Sequence, residues 1–327
     1  MFRRKKLAIG IPTYKRPDFA IRLIKEIVKY NIYDQIIVSS NSKEKKLNSF
    51  ILKINHFKIT FNQQKRNVGL ARNYFDVIKL CRCEYLHIIS DEDSIYPDNV
   101  KLLIKNLNQY INASLIIVSV NDKTGKIYKD SSWQKNTYLK HSLGETAHIG
   151  SSIINTKMIN YSLMKKLYKY ADSKSSVYPT TAAALTAYSV SGNIHYFRKP
   201  IVKMGEKHHF AEIKGNPVYG FEARLNQYMA LFELFIDIKL NKKLVIGYYA
   251  LYYFTHHALQ DSIRKFNEKP SRLFLDFYFT YQMNSSYKKL AYFILIVTFY
   301  LFYSYFGSRK FLSKIKKIIK NKSLNYS

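Results

Sequence analysis

Short apolar runs alternate with amphipathic stretches along the first ninety residues of the chain. Residues 7–12 form an apolar run closed by a proline, which is typical of a buried strand. Between residues 19 and 30, apolar side chains recur at helical spacing. The same rules predict strands at 35–40, 57–61 and 85–89 and a helix at 70–83. This alternation predicts a parallel α/β sheet that binds ligands beyond the carboxyl ends of its strands.

The alternation continues, less regularly, to about residue 215. The pattern predicts a helix near 98–110, strands at 115–120, 149–155 and 201–203, and a small-residue helix at 179–189 that ends before Gly192. Segment 122–148 is polar and irregular, which indicates loops or a lid. After about residue 217, long aromatic-rich helical segments are predicted at 219–240 and 244–266. We therefore expect an α/β domain over 1–215, a helical region over 216–286 and a tail over 287–327.

The net charge and the cysteine content narrow the classes of protein to which this chain can belong. The chain of 327 residues carries 53 basic and 22 acidic residues, a formal net charge of +31. Such an excess predicts an anionic partner: nucleic acid, an acidic membrane or a phosphorylated substrate. Cys81 and Cys83 are the only cysteines, which excludes a disulfide scaffold. The basic start precedes too short an apolar run for a signal peptide, so a cytoplasmic protein is expected.

An acidic triplet, Asp91-Glu92-Asp93, directly follows the strand predicted at 85–89. Two carboxylates at i and i+2 that leave a strand can point to one side. Mg²⁺ and Mn²⁺ prefer oxygen ligands and often combine one or two carboxylates with substrate phosphates. Such an ion neutralises the charge of a diphosphate leaving group. By itself, the triplet also suits an acidic turn that caps the next helix.

Two upstream segments bear on that choice. Residues 67–73 read Asn-Val-Gly-Leu-Ala-Arg-Asn and open a helix, where Gly69 and backbone N–H groups can meet phosphate or ribose. The alternative is an ordinary cap with a solvated Arg72. Residues 12–17 read Pro-Thr-Tyr-Lys-Arg-Pro at the end of the first strand. There an aromatic ring can stack on a base and the cations can face phosphate, unless the segment is a plain turn.

Taken in order, these three segments resemble the family 2 glycosyltransferases of GT-A fold, an α/β fold with a Rossmann-like mixed sheet. The resemblance covers roughly residues 7–100. It implies Mn²⁺- or Mg²⁺-dependent transfer of a sugar from a nucleotide-diphosphate donor, usually with inversion. On this reading, the donor half of the catalytic domain is about 1–120 and the acceptor half about 121–215.

The resemblance also implies roles for individual residues. Asp93 is expected to bind the metal and Asp91 to contact the ribose or bridge to the metal, while Glu92 belongs to the donor side but faces away. The family commonly ends its second strand with an Asp that holds the base, and this chain has Ser39 and Asn41 there instead. These two are the expected replacements. The other expected donor-binding residues are Pro12, Thr13, Tyr14, Arg16, Asn67, Gly69 and Arg72.

The catalytic base is less clear from the sequence. Inversion needs a group that takes the proton of the acceptor hydroxyl. The family often supplies it from a Glu-Asp pair at the start of a helix, and this chain has no such pair. Asp172 lies nearest the expected place, although a surface turn explains it equally well, and Glu145 and His148 are competitors. In some relatives a His in this region completes the metal site, so the resemblance implies that role for His208 or His209, with a solvated loop as the alternative.

The tail combines an apolar and a basic segment. Residues 290–306 are uncharged and aromatic-rich, and as a helix they would span about 25 Å, short of the roughly 30 Å apolar core of a bilayer. A basic amphipathic stretch follows. We expect peripheral or monotopic attachment to an anionic membrane surface, on the cytoplasmic face of the inner (cell) membrane. The alternative is a core helix followed by a solvated tail.

The expected role is therefore sugar transfer to a glycan or lipid-linked acceptor in bacterial lipopolysaccharide or capsule synthesis. Two other classes stay open. The net charge also suits a nucleic-acid-binding protein, but no nucleic-acid-binding signature occurs, so no nucleic acid partner is expected. The missing Glu-Asp pair also suits a non-catalytic membrane scaffold with a degenerate transferase fold. A retaining rather than inverting transferase is a further alternative.

Overall fold

The computed structural model describes residues 6–110, 113–121, 149–172 and 178–205, together with 230, 231, 234, 237 and 238. All of these belong to one compact unit of the chain, which comprises Met1–Val218 and Ala223–Thr255. Several predicted features lie outside the described residues. They are Glu145, His148, His208, His209, segment 122–148, most of region 216–286 and the whole tail 287–327.

Eight strands and six helices make up the described part of the chain. The strands are β1 (Leu7–Thr13), β2 (Gln35–Ser40), β3 (Ile59–Gln63), β4 (Tyr85–Ile88), β5 (Ser94–Ile95), β6 (Leu115–Asn121), β7 (Ser152–Asn155) and β8 (Ile194–Lys203). The helices are α1 (Pro17–Tyr30), α2 (Lys45–Ile54), α3 (Leu70–Leu80), α4 (Pro97–Asn106), α5 (Tyr161–Asp172) and α6 (Pro179–Ser191). Two short 3₁₀ turns lie at Leu107–Gln109 and Thr156–Met158.

The strands form a single mixed sheet in the order β3-β2-β1-β4-β7-β6-β8-β5. Neighbouring strands among β3, β2, β1 and β4 are parallel, so their carboxyl ends meet at one edge. The short strand β7 is antiparallel to both β4 and β6, and β5 is antiparallel to β8. The predicted mixed α/β sheet is confirmed.

Helices cover both faces of the sheet because its strands are apolar on both sides. Ile9 packs with α1 on one face, and Ala8 packs with α3, α5 and α6 on the other, which is the alternation expected of a strand. Gly10 allows α3 to approach closely, since a Cβ there would lie 2.3 Å from Val77 Cγ1. Leu231, from the predicted helical region, belongs to the same apolar cluster as α5 and α6.

Two helices, the two-residue strand β5 and the first part of β8 were not predicted. Helix α2 buries only Leu47, so its apolar stripe is too narrow to recognise. Helix α5 buries Leu163, Leu167 and Tyr170 at helical spacing, and Asp172 is its last residue rather than part of a surface turn. Strand β8 begins at Ile194 and not near 201. Among the described helices, none is long and apolar enough to cross a bilayer.

Candidate active site

The acidic triplet forms a tight turn between β4 and β5, here called the acidic turn (residues 91–93). The backbone N–H of Asp93 donates to the Ser90 carbonyl at 3.1 Å, which closes the turn. Asp91 and Asp93 are 0% and 2% exposed, although both carry carboxylates. Because β1, β2 and β4 run parallel, the turn lies at the edge where β1 and β2 also end. Ligands of α/β proteins bind at such an edge.

Asp91 is held by the end of β1 and the start of α1. The Thr13 hydroxyl donates to Asp91 Oδ2 at 2.5 Å, and Arg16 Nη2 lies 2.7 Å from Asp91 Oδ1. Arg16 also pairs with Glu92, with Nη1 and Oε2 2.7 Å apart. Burial raises the pKa of Asp91 to about 6, while Arg16 and Thr13 oppose that rise. In this structure, Arg16, the predicted phosphate contact, bridges two carboxylates of the acidic turn.

Asp93 has fewer donors. Its Oδ1 accepts from the backbone N–H of Gly205 at 3.1 Å, whereas its buried Oδ2 has no hydrogen-bond partner among the described residues. Burial raises the pKa of Asp93 to about 7, with the Gly205 hydrogen bond opposing the rise. An unpaired buried carboxylate oxygen is costly, and a divalent cation is a ligand that would satisfy it. The side chain therefore fits a Mn²⁺ or Mg²⁺ ion.

The protein by itself does not complete such a site in the part that the structure describes. No group of three or more His, Cys, Asp or Glu side chains is arranged around a common metal position there. Mg²⁺-type ions are commonly bound by one or two carboxylates together with substrate phosphates. A metal ion held by Asp91 and Asp93 would therefore need further ligands, which substrate phosphates can supply.

A polar network joins the ends of β2 and the loop before α3. The Ser39 hydroxyl donates to Asn73 Oδ1 at 2.7 Å, and Asn73 Nδ2 donates to the Ser39 carbonyl at 3.0 Å. Asn41 Nδ2 donates to Asn67 Oδ1 at 2.7 Å, and Asn67 Oδ1 accepts from the Gly69 N–H at 2.9 Å. Ser39 and Asn41 are buried, so their side chains shape the loop. Their predicted contacts with a base stay predictions.

Open surface lies beside this network. Gly69 has φ +85, and a side chain there would meet no atom within 4 Å. Tyr14 is 40% exposed, with Lys15 Nζ 5.3 Å from its ring centroid. Pro12 is buried in β1 and pairs in register with Ser39. An exposed aromatic ring can stack on a base, and a helix N-terminus without a side-chain cap, as in α3, can bind phosphate; both lie at the strand edge that carries the acidic turn.

The predicted base and the predicted donor-side arginine are paired with each other. Arg72 Nη1 donates to Asp172 Oδ1 at 2.7 Å, and the two side chains are 41% and 62% exposed. The Arg72 guanidinium lies 4.9 Å from the ring centroid of Tyr168, whose hydroxyl donates to Asp76 at 2.7 Å. The sequence did not indicate this pairing, because it joins residues 100 positions apart.

Two residues that contact the acidic turn were missed in the sequence. Arg22 of α1 donates from Nη2 to the Glu92 and Asp93 carbonyls, at 2.5 and 3.0 Å. Gly205 lies so close that a Cβ would be 1.9 Å from the Glu92 carbonyl oxygen. A glycine just after a predicted strand was a usable signal of close backbone approach. Nothing in the helical pattern of α1 marks Arg22.

Comparison with known proteins finds a family pattern in the first half of the chain. Residues 8–167 match glycosyl transferase family 2. WcaA of Escherichia coli (strain K12), assigned to colanic acid biosynthesis as a glycosyl transferase, is 23% identical over 154 residues. That alignment covers 45% of this chain and 55% of WcaA, so the chain spans about half the length of this relative.

Solved structures share the fold. TarS of S. aureus, residues 1–349, superposes with a TM-score of 0.55 at 14% identity, covering 83% of this chain and 80% of that one. The same TarS fragment in complex with UDP-GlcNAc gives a TM-score of 0.53 at 12% identity, covering 91% and 81%. At these identities the likeness concerns the mixed α/β fold alone. Residues 8–167, about half of the chain, therefore carry the sequence pattern of glycosyl transferase family 2.

Proposed function

We propose that the protein transfers a sugar from a nucleotide-diphosphate donor to a hydroxyl group of a glycan or lipid-linked acceptor in bacterial lipopolysaccharide or capsule synthesis. The observation that carries this proposal is the buried Asp93 carboxylate at the carboxyl edge of the sheet, one oxygen of which has no hydrogen-bond partner among the described residues. The family match and the likeness to WcaA support polysaccharide synthesis. A TarS structure of the same fold holds UDP-GlcNAc, which supports a donor of that class.

The residues of the acidic turn would have different roles in donor binding. Asp93 would hold Mn²⁺ or Mg²⁺, with Asp91 on the ribose or bridging to the metal. Bound there, the ion would neutralise the diphosphate leaving group. Arg16 favours the ionised form of Asp91 and fixes its orientation through the 2.7 Å contact. Tyr14 would stack on the base, and the backbone N–H groups that open α3 after Gly69 would face phosphate or ribose.

Asp172 is the proposed general base for an inverting reaction. Its carboxylate is exposed and lies at the end of α5, where an acceptor hydroxyl can reach it. It must first leave Arg72, and an exposed ion pair costs only about 0.2–1 kcal/mol to break. Glu145 and His148 stay as alternatives on sequence grounds. His208 and His209 follow Gly205 by three and four residues, which supports either as a further metal ligand.

We further propose that the protein acts at the cytoplasmic face of the inner membrane. The apolar and basic sequence of residues 287–327 supports this location. Sedimentation of the full chain with anionic vesicles tests it, with the chain lacking residues 287–327 as the comparison. We expect the full chain to sediment and the shortened chain to stay in solution. Equal sedimentation of both would exclude the tail as the anchor.

A panel of nucleotide sugars tests the proposed activity. The full chain is incubated with each donor and Mn²⁺ without a glycan acceptor, so that water accepts the sugar, and the nucleoside diphosphate released by this hydrolysis is measured for the wild type and for Asp93→Asn. We expect release with at least one donor, and loss of at least about 100-fold in the variant. Asp98→Asn is the matched control, since Asp98 is 92% exposed and pairs only with Lys101 among the contacts described. Nucleoside-diphosphate release by Asp93→Asn at the wild-type rate would contradict the proposed site. No release by the wild type with any donor would instead indicate a non-catalytic scaffold.

A further inference from the structure

We propose that Arg22 and Glu26 of α1 are positioning residues that hold the backbone of the acidic turn in the geometry that metal and donor binding require. The inference rests on the proposed function, because it assumes that Asp93 binds a metal ion. It concerns residues that contact neither the expected metal nor the donor, and act only through the main chain of residues 92–95.

The two side chains form hydrogen bonds with neighbouring backbone groups of residues 92–95. Arg22 Nη2 donates to the Glu92 carbonyl at 2.5 Å and to the Asp93 carbonyl at 3.0 Å. Glu26 Oε1 accepts from the backbone N–H of Ile95 at 3.2 Å. Because residues 22 and 26 are one helical turn apart, they lie on the same face of α1. Helix α1 therefore binds two carbonyls and one N–H within four residues.

The opposite side of the segment is held by β8. Ser94 and Ile95 pair with Lys203 and Val202, and the Gly205 N–H donates to Asp93 Oδ1. The acidic turn thus lies between α1 and the end of β8. Strand β5 has only two residues, too few to fix the turn by its own ladder. The hydrogen bonds from Arg22 and Glu26 of α1 therefore also restrain the backbone of the acidic turn.

Asp93 depends on this constraint more than Asp91 does. Thr13 and Arg16 both contact the Asp91 carboxylate directly. The Asp93 carboxylate has a single described donor, so the direction of its free oxygen follows the main chain that Arg22 holds. Groups that orient a metal ligand typically change metal affinity or activity by about 10–100-fold when they are removed.

Stability should change much less than metal binding. Arg22 is exposed, and hydrogen bonds at an exposed site are readily replaced by water. We therefore expect Arg22→Ala to raise the Mn²⁺ concentration that gives half of the maximal response by about 10–100-fold, while the metal-free melting temperature changes little. Arg22→Lys should recover part of the loss, because an ammonium group can still donate to a carbonyl.

The test uses the full-length chain and two readouts other than turnover. The first is the thermal shift produced by Mn²⁺ with a nucleoside diphosphate, titrated in Mn²⁺. The second is amide hydrogen exchange of residues 93–95 without metal. The variants are Arg22→Ala, Arg22→Lys and Glu26→Ala, and the control is Lys25→Ala, which removes an exposed cation from the same helix whose described contact is with the Phe50 ring.

Faster exchange at residues 93–95 and a higher half-saturating Mn²⁺ concentration in Arg22→Ala, with wild-type behaviour in Lys25→Ala, would support the proposal. Unchanged exchange would overturn it. Faster exchange with unchanged Mn²⁺ response would also overturn it, since Arg22 would then stabilise the turn without positioning Asp93. A wild type that does not respond to Mn²⁺ or Mg²⁺ would instead contradict the metal part of the proposed function, and exchange alone would then decide whether α1 holds the turn.

Discussion

Gly205→Ala should displace the acidic turn. A Cβ at position 205 would lie 1.9 Å from the Glu92 carbonyl oxygen and 2.6 Å from its carbonyl carbon. Real Cβ contacts stay above 3.0 Å, so the backbones of the turn and of residue 205 must separate by about 1.1 Å. Both atoms that limit the approach are backbone atoms, and no side-chain rotation can relieve the overlap.

The displacement acts on Asp93 in two ways. It moves the turn that carries the carboxylate, and it lengthens the 3.1 Å hydrogen bond from the Gly205 N–H. A misplacement of about 1 Å near a reacting centre can lower a rate by roughly 100-fold. Overpacking typically costs about 1–3 kcal/mol of folding free energy. We therefore expect nucleoside-diphosphate release by Gly205→Ala to fall by about 100-fold, with a moderate loss of stability measured by urea unfolding.

Gly192→Ala is the matched control. Gly192 follows α6 at φ +65, and the nearest atom to an added Cβ is 3.9 Å away. Forcing alanine into that left-handed conformation costs about 1–2 kcal/mol without touching the acidic turn. The control should thus lose similar stability and keep its turnover. Wild-type turnover in Gly205→Ala, or equal loss of turnover in both variants, would refute the close approach as a requirement of the site.

Three further predictions follow from the described contacts. Burial lowers the pKa of His87 to about 4, so between about pH 6.5 and pH 4 the unfolded chain binds a proton that the native chain does not. As the pH falls through that range, the unfolding free energy of the wild type should therefore drop by about 3 kcal/mol relative to that of His87→Gln. Parallel pH profiles of the two unfolding free energies would contradict this. A double-mutant cycle of Arg72→Ala and Asp172→Ala should give a coupling of only about 0.2–1 kcal/mol by urea unfolding, whereas a coupling above about 2 kcal/mol would mean the pair is not the exposed one observed. Thr13→Val removes a donor from the buried carboxylate of Asp91 and should cost about 1–3 kcal/mol by the same method, with Thr13→Ser near the wild type; equal stability of all three proteins would argue against the 2.5 Å hydrogen bond.

The donor side of the fold was predictable because its signals are local. Buried parallel strands read as continuous apolar runs, and the carboxyl ends of such strands meet at one edge. The predicted strand at 35–40 coincides with β2, and the strand predicted at 85–89 delivers Asp91 and Asp93 to that edge. Gly192 ends α6 in the left-handed conformation expected of a helix C-terminus.

The contacts that orient the site were not predictable, because they join distant parts of the chain. Arg22 reaches residues 70 and 71 positions away, and Gly205 contacts Asp93 across 112 positions. Arg16 was predicted to contact the donor, and a sequence cannot show that its partners in the structure are the carboxylates of Asp91 and Glu92. The missed helix α2 has a different cause, since Leu47 is its only buried residue.

The most direct test of the proposed donor site is thermal-shift screening of nucleoside diphosphates with and without Mn²⁺, for the wild type, Asp93→Asn and Asp98→Asn. A ligand present at about 100 times its Kd stabilises a protein by about 2.7 kcal/mol. The site described here predicts a Mn²⁺-dependent shift with at least one nucleoside diphosphate, present in the wild type and Asp98→Asn and absent in Asp93→Asn. A Mn²⁺-dependent shift that persists unchanged in Asp93→Asn would contradict it.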